Sequence, residues 1–234
     1  MKLLAQEHLW AVACIALGAA GLSLAARRWP GAWTRPAARA LGVGIIAIES
    51  SWWLLWLPLR GSWSPAWGLP LQLCDLAAFI AGVALLWPKP ILVELTYFWG
   101  LGGTLQALLT PDLREHFPSY PYWQFYLAHG GVIAAALLLT VGFGRPPRPG
   151  SVPKIFGLTL ALGLADALVD LVTGGNYLYL RQRPLNASLL DYMGPWPWYV
   201  LTGALLALVV LLLLEAPFRL TGRSRRLVVR RPIA

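Results

Sequence analysis

Long apolar stretches alternate with short polar segments along the whole chain. Seven stretches approach the ~20 apolar residues that a helix needs to cross a bilayer. They are residues 8–26, 37–57, 69–87, 91–109, 122–143, 153–173 and 196–214. The pattern predicts an all-α polytopic membrane protein with seven transmembrane helices. We interpret residues 1–234 as a single transmembrane helical domain with a basic tail from about residue 217.

Composition agrees with this interpretation, because 58% of the 234 residues are hydrophobic and only 12% are charged. The formal net charge is +9, but the basic residues lie almost entirely in short loops and the tail. Membrane topology explains this distribution, so we predict no nucleic-acid partner. Cys14 and Cys74 lie in different apolar stretches without C-x-x-C spacing, which indicates free thiols.

The distribution of basic residues also predicts the orientation. Fourteen of the 19 lie in the first, third and fifth loops and the tail. They are Arg27, Arg28, Arg35, Arg39, Lys89, Arg145, Arg148, Lys154, Arg219, Arg223, Arg225, Arg226, Arg230 and Arg231. The positive-inside rule then places the amino terminus outside and the carboxyl terminus in the cytoplasm. We expect a multi-pass protein of a cell membrane.

The third apolar stretch, LPLQLCDLAAFIAGVALL, contains Gln72, Cys74 and Asp75 near its start. Polar groups within a membrane span are costly and indicate function. Counted from the outer ends of their stretches, Cys74 is five residues in and His129 is seven. At the helical rise these residues lie roughly 8 and 10 Å deep. The sequence therefore predicts that the two residues are level.

Other polar residues share this leaflet. They are Glu49, Gln106, Asp166 and Asp170, all in the outer halves of their stretches. The inner halves show no comparable set. Scattered structural residues would have no reason to share one leaflet, so this distribution predicts one polar cavity that opens outward.

Cys74 and His129 are candidates for a nucleophile and its base. A buried free cysteine more often packs as a small hydrophobe, and it is unreactive unless a base takes its proton. His129 has the ordinary pKa that suits this task, although a membrane histidine can instead bond neighbouring helices. Asp166 and Asp170, spaced i, i+4, or Asp75 would orient the imidazole; one of the acids could instead be protonated and structural.

Further roles follow from residue chemistry. The amides of Gln72, Gln106 and Asn176 are candidate donors to a developing oxyanion. The candidate substrate-binding residues are Glu49, Tyr177, Arg181 and Arg183, with the arginines suited to a lipid phosphate. A zinc hydrolase usually supplies more than one imidazole, so we predict no metal and no cofactor. A transporter or ligand-binding protein with a polar outer cavity, a proton or ion pathway, and a structural subunit are the alternatives.

Five sequence blocks carry a family resemblance: LPLQLCDLAAF, ELTYFWGLGGTLQALLTPDL, QFYLAHGG, GGNYLYLRQRP and SLLDYMGPWPWY. In this order, over about residues 69–199, they resemble the YwaF family of bacterial integral membrane proteins. That family is similar to a vertebrate transmembrane acyltransferase family that makes polyunsaturated ether phospholipids. It is more distantly similar to androgen-induced-gene-type hydrolases of fatty-acid esters.

The resemblance implies a nucleophile at Cys74 and a histidine at His129. Together with the residue pattern it leads us to expect an intramembrane lipid acyltransferase or lipid-ester hydrolase with an acyl-thioester intermediate. The expected partners are membrane lipids, namely a phospholipid or lysophospholipid and a fatty acyl ester.

Overall fold

The computed structural model describes residues 6–113, 115–184 and 188–220, and these residues form helices and loops without a β-strand. Every apolar stretch that the sequence predicts to cross the membrane is helical. The helices are α1 (Gln6–Arg28), α2 (Thr34–Arg60), α3 (Leu73–Leu86), α4 (90–109), α5 (Tyr120–Gly142), α6 (Val152–Thr173) and α7 (Trp198–Leu220). The all-α prediction is therefore confirmed.

Five of these helices are long and apolar enough to cross a membrane, namely α1, α2, α5, α6 and α7. Helix α3 has only 14 residues. Helix α4 runs without a break through a π-helical turn at Gly100–Thr104. The chain is thus a multi-pass helical membrane protein, whereas the count of seven spans and the orientation stay predictions. Most of the basic tail, residues 221–234, lies outside the described residues.

Helix α3 begins four residues later than the sequence predicts, because Gln72 has an extended backbone and caps the helix. The Gln72 side chain accepts from the Asp75 N–H, and Asp75 Oδ2 accepts from the Gln72 N–H at 3.2 Å. This reciprocal capping box satisfies N–H groups that the first turn would leave unpaired. Cys74 consequently lies in the first turn of α3.

Helix α3 lies at the centre of the fold and packs against α2, α4 and α5. Ala77, Ala81 and Ala84, which follow Cys74 along one face, are completely buried. Against α2 the approach is closer still, since a Cβ on Gly82 would lie 2.9 Å from the carbonyl oxygen of Gly42. Small residues at helix contacts in membranes permit such close packing. Helices α6 and α7 pack mainly on each other at the edge of this core.

The end of the bundle opposite Cys74 contains buried acidic residues, so the expectation that this half lacks them is wrong. Glu94, near the start of α4, is 1% exposed, and the Arg148 guanidinium donates to it through Nε at 2.6 Å and Nη2 at 2.9 Å. Lys154 Nζ lies 3.6 Å from the same carboxylate. Hydrogen bonding to Glu94 raises the pKa of Arg148 above its ordinary value. Such complete pairing makes a buried charge tolerable.

Glu215 of α7 is the second buried acid at this end. Its Oε1 accepts from the N–H groups of Gly150 at 2.7 Å and Ser151 at 3.1 Å, and it pairs with Arg219. Glu215 therefore joins α7 to the residues that precede α6.

Candidate functional site

Cys74 is partly exposed in the first turn of α3, directly before Asp75. Its electrostatic neighbours are the carboxyl groups of Asp75 and Glu49 and the phenol of Tyr179. Cys14, by contrast, is exposed on α1. Of the two thiols, Cys74 is the one with a polar environment.

His129 lies on α5, which packs directly against the helix of Cys74. Its Nδ1 is 2.8 Å from the Phe125 carbonyl oxygen, and the Phe125 and His129 rings have centroids 4.1 Å apart. A carbonyl only accepts, so Nδ1 carries the hydrogen and Nε2 of the neutral ring keeps its lone pair. The Phe125 carbonyl, rather than the predicted carboxylate of Asp75, Asp166 or Asp170, thus holds Nδ1, because it lies one turn away on the same helix.

Two glycines of α4 relate the depths of these residues. A Cβ on Gly100 would lie 3.1 Å from Val132 of α5, and one on Gly103 would lie 2.6 Å from Leu73 of α3. Gly103 lies three residues, or about 4.5 Å, further outward along α4 than Gly100. His129 lies the same distance further outward along α5 than Val132. Leu73, the neighbour of Cys74, is therefore level with His129.

Four carboxyl groups from three helices form a row beside Cys74, which we call the acid row: Glu49, Asp75, Asp166 and Asp170. Asp75 is an electrostatic neighbour of Glu49, and Glu49 Oε2 accepts a hydrogen bond from Gln124 Nε2 at 3.2 Å. Asp166 is the electrostatic neighbour of both Asp75 and Asp170. Asp166 is fully buried, and neither of its oxygens has a hydrogen-bond partner among the described residues.

The loop after α6 is fastened over the start of α3 by Tyr177, which is 1% exposed. Its hydroxyl donates to the Pro65 carbonyl at 2.8 Å and accepts from the Leu69 N–H at 2.9 Å. Its own N–H donates to Asp170 Oδ1 at 2.9 Å. Next to it, the Leu178 N–H donates to Gln72 Oε1 at 3.1 Å. Tyr177 and Gln72 thus connect the loop to α3.

The two arginines proposed for a lipid phosphate both bind backbone carbonyls of this loop region. Arg181 Nη1 donates to the carbonyls of Asp170 at 3.3 Å and Gly175 at 3.2 Å, which caps the end of α6. Arg183 donates to the Gly194 carbonyl. Such bonds shape the loop and leave each guanidinium further donors.

The remaining amides that the sequence singles out are also engaged. Asn176 Oδ1 accepts from the N–H groups of Arg181 and Gln182, and its Nδ2 donates to the Gln182 carbonyl. Gln106 is exposed, and its amide donates to Thr110 Oγ1 at 3.0 Å. The structure groups Gln72, Asp75, Glu49, Asp166, Asp170 and Tyr177 near the start of α3, where Asp75 and Glu49 are the neighbours of Cys74, and it leaves Gln106 on an exposed face.

Sequence reasoning missed Tyr179, an electrostatic neighbour of Cys74, and Asp112, the hydrogen-bond partner of Tyr179. The Tyr179 hydroxyl donates to Asp112 Oδ2 at 3.0 Å. Burial, followed by the nearby Asp112 carboxylate, raises the pKa of Tyr179 above its ordinary value, so the phenol stays protonated. Both residues lie within the sequence blocks that carry the family resemblance, which was the available signal.

Apolar helices and a group of buried carboxyl groups beside Cys74 define a polytopic membrane protein with a polar region at one end. A family model matches residues 3–215, and the chain belongs to the TMEM164 family, a membrane-protein family related to an ether-lipid acyltransferase. An uncharacterized protein of Treponema pallidum (strain Nichols) is 31% identical over 197 residues, which are 80% of this chain and 78% of that protein. No solved structure matches the chain. The resemblance to the YwaF family stays a prediction.

Proposed function

We propose that the protein is an intramembrane lipid acyltransferase or lipid-ester hydrolase in which Cys74 is the nucleophile and His129 its base. The observation that carries the proposal is the commitment of His129 Nδ1 to the Phe125 carbonyl, which leaves Nε2 as a proton acceptor on a helix that packs against α3. The proposal includes seven spans, an amino terminus outside and a bacterial inner membrane, with the site opening to the outer leaflet.

The reaction divides into two transfers of one acyl group. In the first, the Cys74 thiol gives its proton to His129 Nε2 while the sulfur attacks the carbonyl carbon of a fatty acyl ester. The intermediate collapses to an acyl-thioester, and the departing lipid alkoxide takes the proton back from His129. In the second, a lysophospholipid hydroxyl or water loses its proton to His129 and its oxygen attacks the thioester carbonyl. The carbon–sulfur bond then breaks, the new ester or fatty acid leaves, and the Cys74 sulfur takes the proton back from His129 as the thiol re-forms.

The remaining polar groups have supporting roles in this proposal. Asp75 and Glu49 hold a polar environment beside the sulfur, and Asp166 and Asp170 extend it towards the loop after α6. Tyr177 fixes that loop over the start of α3. Arg181 and Arg183, which have donors beyond those bonded to carbonyls, would bind the lipid phosphate.

The test uses the purified full chain in liposomes that contain a phospholipid with a labelled acyl chain. We expect Cys74→Ala and His129→Ala to abolish acyl release or transfer, and mass spectrometry to find an acyl adduct on Cys74 of the wild type. The matched control is Cys14→Ala, which removes the exposed thiol and should leave turnover unchanged. Undiminished turnover in Cys74→Ala or in His129→Ala would refute the mechanism.

The acid row favours a proton or ion pathway as the second candidate, because Asp166 is buried without a hydrogen-bond partner among the described residues. This candidate predicts a proton or cation flux across liposomes that Asp166→Asn abolishes and Cys74→Ala leaves intact. The acyl-transfer proposal predicts the reverse dependence on Cys74, so the two variants distinguish the candidates.

A further inference from the structure

Five threonines within the described helices share a hydrogen bond that Thr104 lacks, whereas Thr34, the first residue of α2, donates to the carbonyl of Gly31 three residues earlier. The hydroxyls of the five donate to the carbonyl four residues earlier, as is common for helical threonine. These bonds are Thr96 to Leu92 at 2.7 Å, Thr140 to Ala136 at 2.6 Å, Thr159 to Ile155 at 2.9 Å, Thr173 to Val169 at 2.8 Å and Thr202 to Trp198 at 2.9 Å. Thr104 is 1% exposed, and its Oγ1 has no hydrogen-bond partner among the described residues.

The π-helical turn in α4 explains this exception. The carbonyl that Thr104 would use belongs to Gly100, and in the π turn this carbonyl accepts from the Leu105 N–H, five residues on. A buried hydroxyl without a partner is costly, and single π turns inside α-helices frequently occur at functional sites. The π turn therefore leaves the Thr104 hydroxyl as a hydrogen-bond donor without an acceptor among the described residues.

The neighbours of Thr104 place it in the seam between the helices of Cys74 and His129. Gly103, the preceding residue, contacts Leu73 of α3, and Gly100, one turn back, contacts Val132 of α5. Thr104 is the residue after Gly103 and lies about one helical turn after Gly100, so it is on the side of α4 that faces α3 and α5. Its hydroxyl bonds neither Cys74 nor His129 directly.

We propose that the Thr104 hydroxyl donates a hydrogen bond to the carbonyl oxygen of the acyl ester as Cys74 attacks it. This inference rests on the proposed function and adds a catalytic residue to it. When the carbon–sulfur bond forms, the π electrons of the carbonyl move to its oxygen, and the Thr104 O–H stabilises this oxyanion without losing its proton. When the intermediate collapses, the electrons return and the ester alkoxide leaves with the proton from His129.

Thr104 suits this role better than the amides that the sequence suggests. Gln106 and Asn176 donate to other groups, and Gln72 uses its oxygen for the helix cap and the loop. A donor that is already positioned and has no competing acceptor costs no reorganisation when charge develops.

The experiment compares three variants of Thr104 with a matched control on the same helix. Thr104→Val and Thr104→Ala remove the donor, whereas Thr104→Ser keeps it. The control Thr96→Val lies two turns before Thr104 and removes a fully buried hydroxyl that donates to the Leu92 carbonyl. We expect Thr104→Val and Thr104→Ala to lower kcat for acyl release about 100- to 1,000-fold with little change in KM. Thr104→Ser and Thr96→Val should keep most of the activity.

Alkylation of Cys74 by iodoacetamide provides the readout that separates catalysis from structure, because this reaction forms no oxyanion. Its rate should be the same in Thr104→Val and wild type. Equal loss of alkylation and acyl release, or full acyl release by Thr104→Val or Thr104→Ala, would overturn the inference. If the valine variant does not fold, the contrast between alanine and serine decides. Full turnover by Cys74→Ala would instead refute the proposed function itself.

Discussion

Buried acidic residues at the two ends of the bundle have opposite surroundings. Glu94 is bonded by both arms of the Arg148 guanidinium and approached by Lys154, and Glu215 accepts from two backbone N–H groups and pairs with Arg219. The acid row at the Cys74 end has no ion pair with a lysine or arginine among the described residues. Glu49 and Asp75 are electrostatic neighbours without a cationic partner, and Asp166 has no hydrogen-bond partner among the described residues.

This difference separates acids that hold the fold together from acids that the fold tolerates. A fully paired buried carboxylate is expensive to lose, because its removal leaves a partner unsatisfied. An unpartnered buried carboxyl lowers stability, and proteins keep such groups mainly where activity needs them. We therefore expect the loss of a fully paired acid such as Glu94 and the loss of the unpartnered Asp166 to change stability in opposite directions.

The largest effect is expected from Glu94→Gln. The neutral amide cannot compensate Arg148, so the free energy of unfolding should fall by about 2–3 kcal/mol, less than for a fully buried pair because Arg148 is half exposed. Thermal unfolding in detergent measures the change. The control is Glu7→Gln, which removes the exposed pair with His116 and should cost at most about 0.5 kcal/mol. Equal stability of Glu94→Gln and wild type would show that this end is not held by its ion pairs.

Asp166→Leu should have the opposite sign. Because no partner is lost, we expect the protein to become more stable by about 1–2 kcal/mol, and we expect acyl release to decrease. Asp170→Leu is the matched control one turn along α6. It removes the acceptor of the Tyr177 N–H and should destabilise by about 1–2 kcal/mol. Destabilisation by Asp166→Leu would contradict the contrast between the ends.

Gln72→Ala tests whether neutral hydrogen bonds hold the Cys74 end. It removes the cap of α3 and the acceptor of the Leu178 N–H, so we expect a loss of about 1 kcal/mol. The loss should not depend on salt, whereas the effect of Glu94→Gln should shrink at high salt. Gln106→Ala, on an exposed face, should remain within about 0.5 kcal/mol of the wild type.

Hydrophobic pattern predicted where helices occur, and side-chain contacts decided the rest. Each predicted apolar stretch is helical, but α3 starts at Leu73 because Gln72 and Asp75 form a cap, which requires a geometry that no apolar run encodes. Glu94 was overlooked because its partners come from residues 54 and 60 positions later. Paired charge of this kind is invisible in a window of local hydropathy.

The candidate site was predicted in part, for a similar reason. Depth follows from counting along a helix, so the acids grouped with Cys74 could be found by their level. Whether a side chain faces the core or the surroundings depends on how the helices pack. The sequence alone therefore could not distinguish the exposed Gln106 from the buried Thr104 two residues earlier. The proposed donor role of Thr104 depends on a π turn in which the Gly100 carbonyl accepts from the Leu105 N–H and not from Thr104. The sequence GLGGT alone does not specify such a turn.

The length of α3 has one more consequence. Its 14 residues extend about 21 Å, whereas the hydrocarbon layer of a bilayer is about 30 Å thick. Capped loop backbone, rather than further turns of helix, must fill the missing depth above Cys74, and such backbone is stable inside a membrane only beside protein or water. In the proposed seven-span arrangement, the late start of α3 would therefore thin the apolar barrier locally and place the proposed nucleophile nearer to water than a full-length helix would.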